Sequence, residues 1–256
     1  MSWIDSLLLG IVQGLTEFLP VSSSAHLKIT KYFLDLPEHS HSVLLDLSCH
    51  LGTLVALLYF LRKDISSLLK NTREWLFYFL ALIPLIPCYF LLKPLRDLAS
   101  QSSFLGPCLM ITGLILLAGQ SLRMPRSKVR GKSAKIQDVL MIGALQSAAL
   151  IPGISRSAAT ISCARFLGWS SQEAVRFSFL LSIPTVIGGN MLELLKASSS
   201  LNSVSISSLG IAFATSLLTG LFLVKKALGY LEKGNIKPFA WYCLSIGVLT
   251  TLYFTL

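Results

Sequence analysis

Six long apolar runs constrain the fold of this chain more than any other feature of its sequence. A helix needs about 20 mostly apolar residues to cross the hydrocarbon core of a bilayer. The runs occupy about 43–61, 75–92, 104–122, 173–195, 208–224 and 239–256. Only 13% of the residues are charged, against about 25% in soluble domains. The sequence therefore predicts an all-α integral membrane protein, a single membrane domain over residues 1–256 with six transmembrane helices.

Basic residues are concentrated between these runs and predict the orientation of the chain. Fourteen of the 22 Lys and Arg residues fall in three short hydrophilic stretches. They are Arg62, Lys63, Lys70 and Arg73; Arg123, Arg126, Lys128, Arg130, Lys132 and Lys135; and Lys225, Lys226, Lys233 and Lys237. Such loops beside spans are typically cytoplasmic, which places both termini outside. The net charge is +10, but no nucleic-acid motif accompanies it, so we expect no nucleic-acid partner.

Two further apolar segments, residues 3–35 and 138–168, are each broken in the middle. Pro20 interrupts the first and Pro152-Gly153 the second, and each half is too short to cross. The charge-based orientation requires each segment to begin and end on one side, which predicts two re-entrant helix-loop-helix hairpins. Irregular backbone at membrane depth is tolerated only where it is buried in protein or lines a cavity. Both breaks are therefore candidate functional sites.

The two halves of the chain also resemble each other at an offset of 133 residues. The matching pairs are Gly10 and Gly143, Gln13 and Gln146, Ser22 and Ser155, Ser24 and Ser157, Ala25 and Ala158, Phe33 and Phe166, and Leu34 and Leu167. Each half contains one hairpin and three spans, and an odd number of spans inverts the second copy. We therefore predict an inverted-topology repeat, with repeat one over about 1–122 and repeat two over about 138–256. Such repeats place a site near the membrane midplane.

The second break, IPGISRSAAT at residues 151–160, has the residues of an anion site. A new helix is expected after Pro152-Gly153, with Ser155 and Ser157 in or near its first turn, where helix capping alone would explain one of them. Free N–H groups at a helix start bind phosphate. Arg156 adds a bidentate donor, and Thr160 follows four residues later on the same helix face. A phosphate-bearing ligand is the specific expectation.

The first break, within VQGLTEFLPVSSSAH at residues 12–26, adds acid–base groups. Gln13 and Glu17 share one face of the first short helix, and a carboxylate in an apolar helix indicates function. The serine run Ser22, Ser23 and Ser24 opens the next helix, followed by His26. Together they offer a carboxylate for a base or a metal, an imidazole for proton transfer and a hydroxyl nucleophile.

QGLTEFLPVSSSAH and PGISRSAAT resemble the two signature motifs of the undecaprenyl-diphosphate phosphatase family, also called the bacitracin-resistance protein family. The patches HLGTLVALLYF (50–60) and AVRFSFLLSIPTVIGG (174–189) extend the resemblance over most of the chain. It implies a multi-pass enzyme of the bacterial plasma (inner) membrane that hydrolyses undecaprenyl diphosphate to undecaprenyl phosphate and inorganic phosphate. That reaction recycles the lipid carrier for cell-wall synthesis and gives bacitracin resistance. The resemblance also implies a site open to the outer, periplasmic face.

The resemblance further implies a divalent cation, Mg²⁺ or Ca²⁺, with Glu17 and Gln13 as candidate ligands. Motif positions are matched by Gln13, Glu17, Ser22, Ser23, His26, Ser155, Arg156, Ser157 and Thr160. Of these, Glu17, Ser23, His26 and Arg156 are the predicted catalytic residues, and the others are predicted to bind substrate. Ala25 and Ala158 stand where the family usually has glycine, and His50 where relatives commonly have glutamine. His39 and His41 are interpreted as loop histidines.

The residues leave several alternatives open. Ser23, His26 and a water activated on a Glu17-bound metal are all candidate nucleophiles, and we favour a hydroxyl with His26 as the proton-transfer group. A lipid-phosphate flippase would use the same anion-binding loops, but it would need no acid–base pair such as Glu17 and His26. The two activities are compatible in one scaffold. The oligomeric state, a homodimer included, is not determined by the sequence.

Overall fold

The computed structural model describes residues 2–36, 41–70, 72–122, 135–196 and 205–255. Within these ranges the chain is all-helical, without a β-strand. The α-helices are α1 Trp3–Thr16, α2 Ser23–Phe33, α3 His41–Phe60, α4 Arg62–Leu69, α5 Thr72–Leu82, α6 Leu85–Leu91, α7 Lys93–Ala99, α8 Ser102–Ser121, α9 Ile136–Gln146, α10 Arg156–Phe166, α11 Ser171–Lys196, α12 Ile206–Glu232 and α13 Lys237–Thr255. A short 3-10 helix, Ser147–Leu150, follows α9.

In the described parts of the chain, six apolar helical segments are long enough to cross a membrane, which confirms the predicted number of spans. They are Val43–Phe60, Glu74–Leu91, Ser102–Ser121, Ser171–Leu195, Ile206–Glu232 and Lys237–Thr255. The second consists of α5 and α6, which meet at Pro84. Proline lacks the N–H of a continuous helix and clashes with the preceding turn, so the helical segment is divided there.

Two predicted loops are helical in the structure. We expected the fifth span to end near residue 224, but α12 continues to Glu232 because one face of its last turns stays apolar. Ala227, Leu228 and Leu231 are buried on that face, whereas the lysine side chains of these turns are exposed. The chain leaves the helix only at Gly234, which has a φ of 83°. The first basic stretch likewise forms α4, an amphipathic helix that buries Leu68.

The short helices α1, α9 and α10 pack against long helices. Helix α1 lies against α12 and α3, while α9 lies against α5 and α10 lies against α8, α9 and α11. Every residue of α10 from Ser157 to Arg165 is buried. Because α10 is buried over most of its length, its first residue, Arg156, is largely enclosed by protein.

Candidate active site

The first break is a tight non-helical turn between α1 and α2. Helix α1 ends at Thr16 with Glu17 as its C-cap, and α2 begins after Ser22, which adopts a left-handed backbone conformation with a φ of 68°. That conformation costs a non-glycine residue about 1–2 kcal/mol. It directs the Ser22 carbonyl toward His26, whose backbone N–H donates to it at 3.3 Å. Backbone strain of this kind is often concentrated at functional sites.

The second break is fixed by a glycine and by a threonine from α8. Gly153 has a φ of 97°, and a Cβ at this position would lie 2.5 Å from the Cβ of Cys108. Thr112 donates its hydroxyl to the Gly153 carbonyl at 2.9 Å and accepts the Ser155 N–H at 3.0 Å. The Ser155 hydroxyl caps α10 by accepting the Ala158 N–H at 3.2 Å. Helix α10 therefore begins in a fixed direction with Arg156 as its first residue.

Arg156 and Glu17 join the two breaks by an ion pair. Nη2 of Arg156 donates to Oε1 of Glu17 at 2.9 Å, and the two side chains are only 18% and 10% exposed. Nη1 of Arg156 donates to the Ser182 carbonyl of α11 at 3.2 Å. Charge-assisted bonds of this kind are stronger than neutral ones. The pair brings the two broken segments into direct contact.

The other carboxylate oxygen of Glu17 is held by two neutral donors. The Ser23 hydroxyl donates to Oε2 at 2.7 Å, and Nε2 of Gln13 donates to the same oxygen at 3.0 Å. Gln13 is fully buried and also donates to the Thr53 hydroxyl at 3.3 Å. A carboxylate that accepts a hydrogen bond from a serine hydroxyl at this distance is positioned to remove the hydroxyl proton.

The remaining predicted binding residues fall into two groups. Ser155 and Thr160 serve the framework: Ser155 is the cap of α10, and Thr160 bonds to the Arg156 carbonyl at 2.9 Å and to the Ser178 hydroxyl at 2.6 Å. Ser157 lies between the breaks, because its hydroxyl donates to the Leu19 carbonyl at 3.4 Å. Ser22 is buried, and its hydroxyl lies 3.2 Å from that of Ser24.

A small, partly open cleft lies at the ion pair. Its lining includes both polar and apolar side chains. The polar lining residues are Glu17, Thr53, Arg156, Ser157, Ser178 and Ser182, and the apolar ones are Phe18, Leu54, Leu57, Phe179 and Val186. Such a site suits a ligand with a charged head and an apolar tail.

His26 is not bonded to Glu17 or Ser23 in this structure. Its Nδ1 lies 2.8 Å from the Ser22 carbonyl oxygen, and its Nε2 lies 2.9 Å from the hydroxyl of Tyr242 on α13. Both ring nitrogens are thus engaged. From the sequence we expected His26 to transfer the proton of the hydroxyl nucleophile. In the structure the Ser23 hydroxyl instead donates its hydrogen bond to Glu17.

The positions that depart from the family pattern lie away from the cleft. Ala25 packs against Leu105 and Leu109 of α8, and Ala158 belongs to the main apolar core, both with no exposed surface. Their methyl groups therefore fill packing space. His50 bonds through Nδ1 to the Asp46 carbonyl at 2.7 Å and does not line the cleft. The interpretation of His39 and His41 as loop histidines concerns side chains outside the described part of the structure.

Glu17 and Gln13 are neighbouring side chains with oxygens that could bind a divalent cation together with a phosphate ligand. Oε1 of Gln13 is buried and has no hydrogen-bond partner in the described part of the chain, and it lies on the amide that contacts Glu17. Mg²⁺ is often bound by one or two protein oxygens together with substrate phosphates. Among the described residues, no group of three or more His, Cys, Asp or Glu could hold an ion. The protein would therefore supply only part of the coordination.

Sequence reasoning missed four residues that hold the site from other helices. Thr53, Thr112, Ser182 and Tyr242 each bond to a motif residue or to its backbone. The family-like patches 50–60 and 174–189 contain Thr53 and Ser182, so those two could have been found. Thr112 and Tyr242 lie in apolar spans without a polar neighbour in sequence to indicate them.

Comparison with known proteins agrees with the geometry of the site. The family described as "Bacitracin resistance protein BacA" matches residues 6–249. The chain is 39% identical over 255 residues to the undecaprenyl-diphosphatase of Protochlamydia amoebophila, which covers 98% of both chains. It is 35% identical to the enzyme of that name from Thermoanaerobacter sp. over 97% of this chain and 96% of the relative. It is 32% identical to the undecaprenyl-diphosphatase of Salinibacter ruber over 97% of this chain and 98% of the relative. The chain belongs to the bacitracin resistance protein BacA family.

Proposed function

We propose that this protein hydrolyses undecaprenyl diphosphate to undecaprenyl phosphate and inorganic phosphate. The observation that carries the proposal is the Arg156–Glu17 pair with Ser23 on the second carboxylate oxygen. It combines an anion clamp, a base and a hydroxyl around one carboxylate. Relatives with 32–39% identity over nearly the whole chain are named undecaprenyl-diphosphatase.

Arg156 binds the diphosphate. Two of its N–H groups contact Glu17 and Ser182, and a guanidinium has five, so the remaining donors are available to phosphate oxygens. The unbonded N–H groups in the first turn of α10 face the same ligand with the positive end of the helix dipole. A cationic clamp in a site with little water stabilises the charge that develops during phosphoryl transfer.

Ser23 is the proposed nucleophile and Glu17 its base. The Ser23 oxygen forms a bond to the terminal phosphorus while its proton passes to Oε2 of Glu17. The bond from that phosphorus to the bridging oxygen breaks, and undecaprenyl phosphate leaves with the electron pair. Water then attacks the phosphorus of the phosphoserine, the bond from that phosphorus to the Ser23 oxygen breaks, and the proton on Glu17 returns to that oxygen as inorganic phosphate leaves. His26, on the next turn of α2, is assigned proton exchange with the departing groups.

We propose that Glu17 and the amide oxygen of Gln13 hold the divalent cation together with the diphosphate. The buried, unpartnered Oε1 of Gln13 supports this assignment. When bound, the cation would neutralise phosphate charge.

The polyprenyl tail is assigned to the apolar residues of the cleft. Leu54 and Leu57 come from α3, and Phe179 and Val186 from α11, so the first isoprene units would lie between these two helices. A tail that stays in apolar surroundings avoids exposure to water, at about 25 cal/mol per Å².

Re-entrant hairpins and an inverted repeat are supported by equivalent packing in the two halves. At Gly10 of α1 a Cβ would lie 2.7 Å from the Ala212 carbonyl of α12. At its repeat mate, Gly143 of α9, a Cβ would lie 2.3 Å from the Ala81 carbonyl of α5. Under the repeat, α1 corresponds to α9 and α12 to α5, so each glycine allows the same close approach. The helices of each pair have 14, 11, 11 and 11 residues, too short to cross a bilayer.

The proposed orientation places the active site at the outer face of the bacterial inner membrane, with the three basic stretches inside. Most of the second stretch lies outside the described residues. Exposed residues from the other regions allow a test: in a background without native cysteines, Lys63→Cys should be protected from an impermeant thiol reagent and Ser205→Cys labelled. The reverse pattern would overturn the orientation.

The reaction itself is tested with purified protein in detergent, where transport is undefined. One inorganic phosphate should be released for each undecaprenyl diphosphate consumed, with undecaprenyl phosphate accumulating. A protein that binds the lipid diphosphate without releasing phosphate would favour the flippase alternative and overturn the proposal.

A further inference from the structure

The ring of His26 is held at both nitrogens, and one partner comes from a distant helix. Nδ1 lies 2.8 Å from the Ser22 carbonyl oxygen, and Nε2 lies 2.9 Å from the hydroxyl of Tyr242. The planes of the two rings are nearly parallel, with 9° between them and 5.7 Å between the ring centroids.

These two contacts fix the tautomer of the neutral ring. A carbonyl oxygen only accepts hydrogen bonds, so Nδ1 carries the proton. A neutral imidazole has one N–H, which leaves a lone pair on Nε2 and makes the Tyr242 hydroxyl the donor. When the ring takes up a second proton, the phenol oxygen can accept in turn. One hydroxyl thus serves both charge states of His26.

The position of Tyr242 is fixed by the residue that follows it. Cys243 is fully buried, and its thiol donates to the Pro20 carbonyl at 3.8 Å. Helix α13 is therefore anchored against the first break, a few residues before His26. Tyr242 itself is 42% exposed. The side chain bonded to the half-buried imidazole of His26 therefore reaches the protein surface.

We propose that Tyr242 is a positioning residue for the hydrolysis: its hydroxyl fixes His26 in the Nδ1-protonated tautomer and orients Nε2 for proton exchange. The effect on turnover rests on the proposed function, whereas the hydrogen bond and the tautomer do not. The test therefore measures both.

Tyr242→Phe keeps the ring and removes only the hydroxyl. In ¹⁵N-histidine-labelled protein in detergent, with the His26 signal assigned by its loss in His26→Gln, the Nε2 resonance should shift on this substitution. The kcat should fall about threefold to tenfold, as expected for the loss of one hydrogen bond, with KM unchanged within about twofold because no substrate contact is lost. Tyr253→Phe, on the same helix but in the ring cluster with Tyr32, is the matched control and should change neither quantity.

Each outcome decides a different part of the proposal. An unchanged Nε2 resonance would show that the hydrogen bond is absent and overturn the proposal. A shifted resonance with unchanged kcat would show that Tyr242 does not serve the reaction, which overturns it as well. If the wild-type protein released no phosphate, the proposed function would fail while the resonance still reported on the contact. In the His26→Gln background, Tyr242→Phe should cause no further loss of activity, and an equal further loss would mean that it acts independently of His26.

Discussion

Arg156 and Glu17 are separated by 139 residues in the chain, yet Nη2 of the first lies 2.9 Å from Oε1 of the second. The pair joins the start of α10 to the end of α1 and so connects the two halves of the protein at one point. Removing one partner of a buried pair leaves an uncompensated charge that costs about 3–5 kcal/mol. Substitutions at this pair must therefore preserve charge or shape if activity is to be separated from folding.

Arg156→Lys should reduce phosphate release by about a hundredfold or more, the effect of losing a donor to developing charge. Lysine retains the charge but not the planar fork that binds two oxygens at once. Arg176→Lys is the control, since Arg176 forms an exposed pair with Asp64 at 2.5 Å and should change the rate by less than about twofold. Near-native activity of the Arg156 variant would exclude the clamp.

Ser23→Ala should reduce the rate by about a thousandfold or more if Ser23 is the nucleophile. Thr30→Ala, on the same helix, removes a hydroxyl that only bonds to the His26 carbonyl at 2.7 Å, and it should leave most activity. A loss of about tenfold for Ser23→Ala would correspond to one orienting hydrogen bond. In that case an activated water would be the nucleophile.

Much of this site could be predicted from sequence because its charges lie where charges are costly. Glu17 and Arg156 stand out in apolar helices, and the proline breaks beside them indicate irregular backbone. The hydrogen-bond partner of each serine could not be predicted, because it depends on how α2 and α10 are rotated against the neighbouring helices. Ser155 therefore proved to be a helix cap, and the Ser23 hydroxyl lies on Glu17.

The hydrogen-bond partners on distant helices could not be predicted from the sequence, for a related reason. Thr112 and Tyr242 are single polar residues on apolar helices, and such residues more often bond within their own helix. Only the packing of α8 and α13 on the two breaks directs them to Gly153 and His26. The length of α12 was also underestimated, because Lys225 and Lys226 lie on exposed positions of a continuous helix.

Removal of divalent cations should abolish phosphate release, and Mg²⁺ or Ca²⁺ should restore it. Gln13→Glu should lower the cation concentration needed for half-maximal activity and tighten cation binding measured by calorimetry, because a second carboxylate strengthens an oxygen site. Full activity in the presence of excess chelator would contradict the proposed use of a cation. Unchanged binding by the variant would exclude Gln13 as a ligand.

Gly143→Ala should destabilise the protein, because its Cβ would lie 2.3 Å from the Ala81 carbonyl. Such overpacking costs about 1–3 kcal/mol, to be read as a lower Tm in detergent. Gly229→Ala is the matched control: it lies in α12 with nothing within 4 Å of its Cβ, so it should be neutral or slightly stabilising. Equal effects of the two substitutions would contradict the close packing of α9 on α5.

The proposed function requires Glu17 and Arg156 to act together on a lipid diphosphate. The decisive measurement is the rate of phosphate release from undecaprenyl diphosphate by Glu17→Gln, which keeps the shape of the side chain and an oxygen that accepts from Arg156. We expect a loss of at least about a hundredfold, since the base is gone, with a folded protein that still binds the substrate. A rate within a few-fold of the wild type would contradict it.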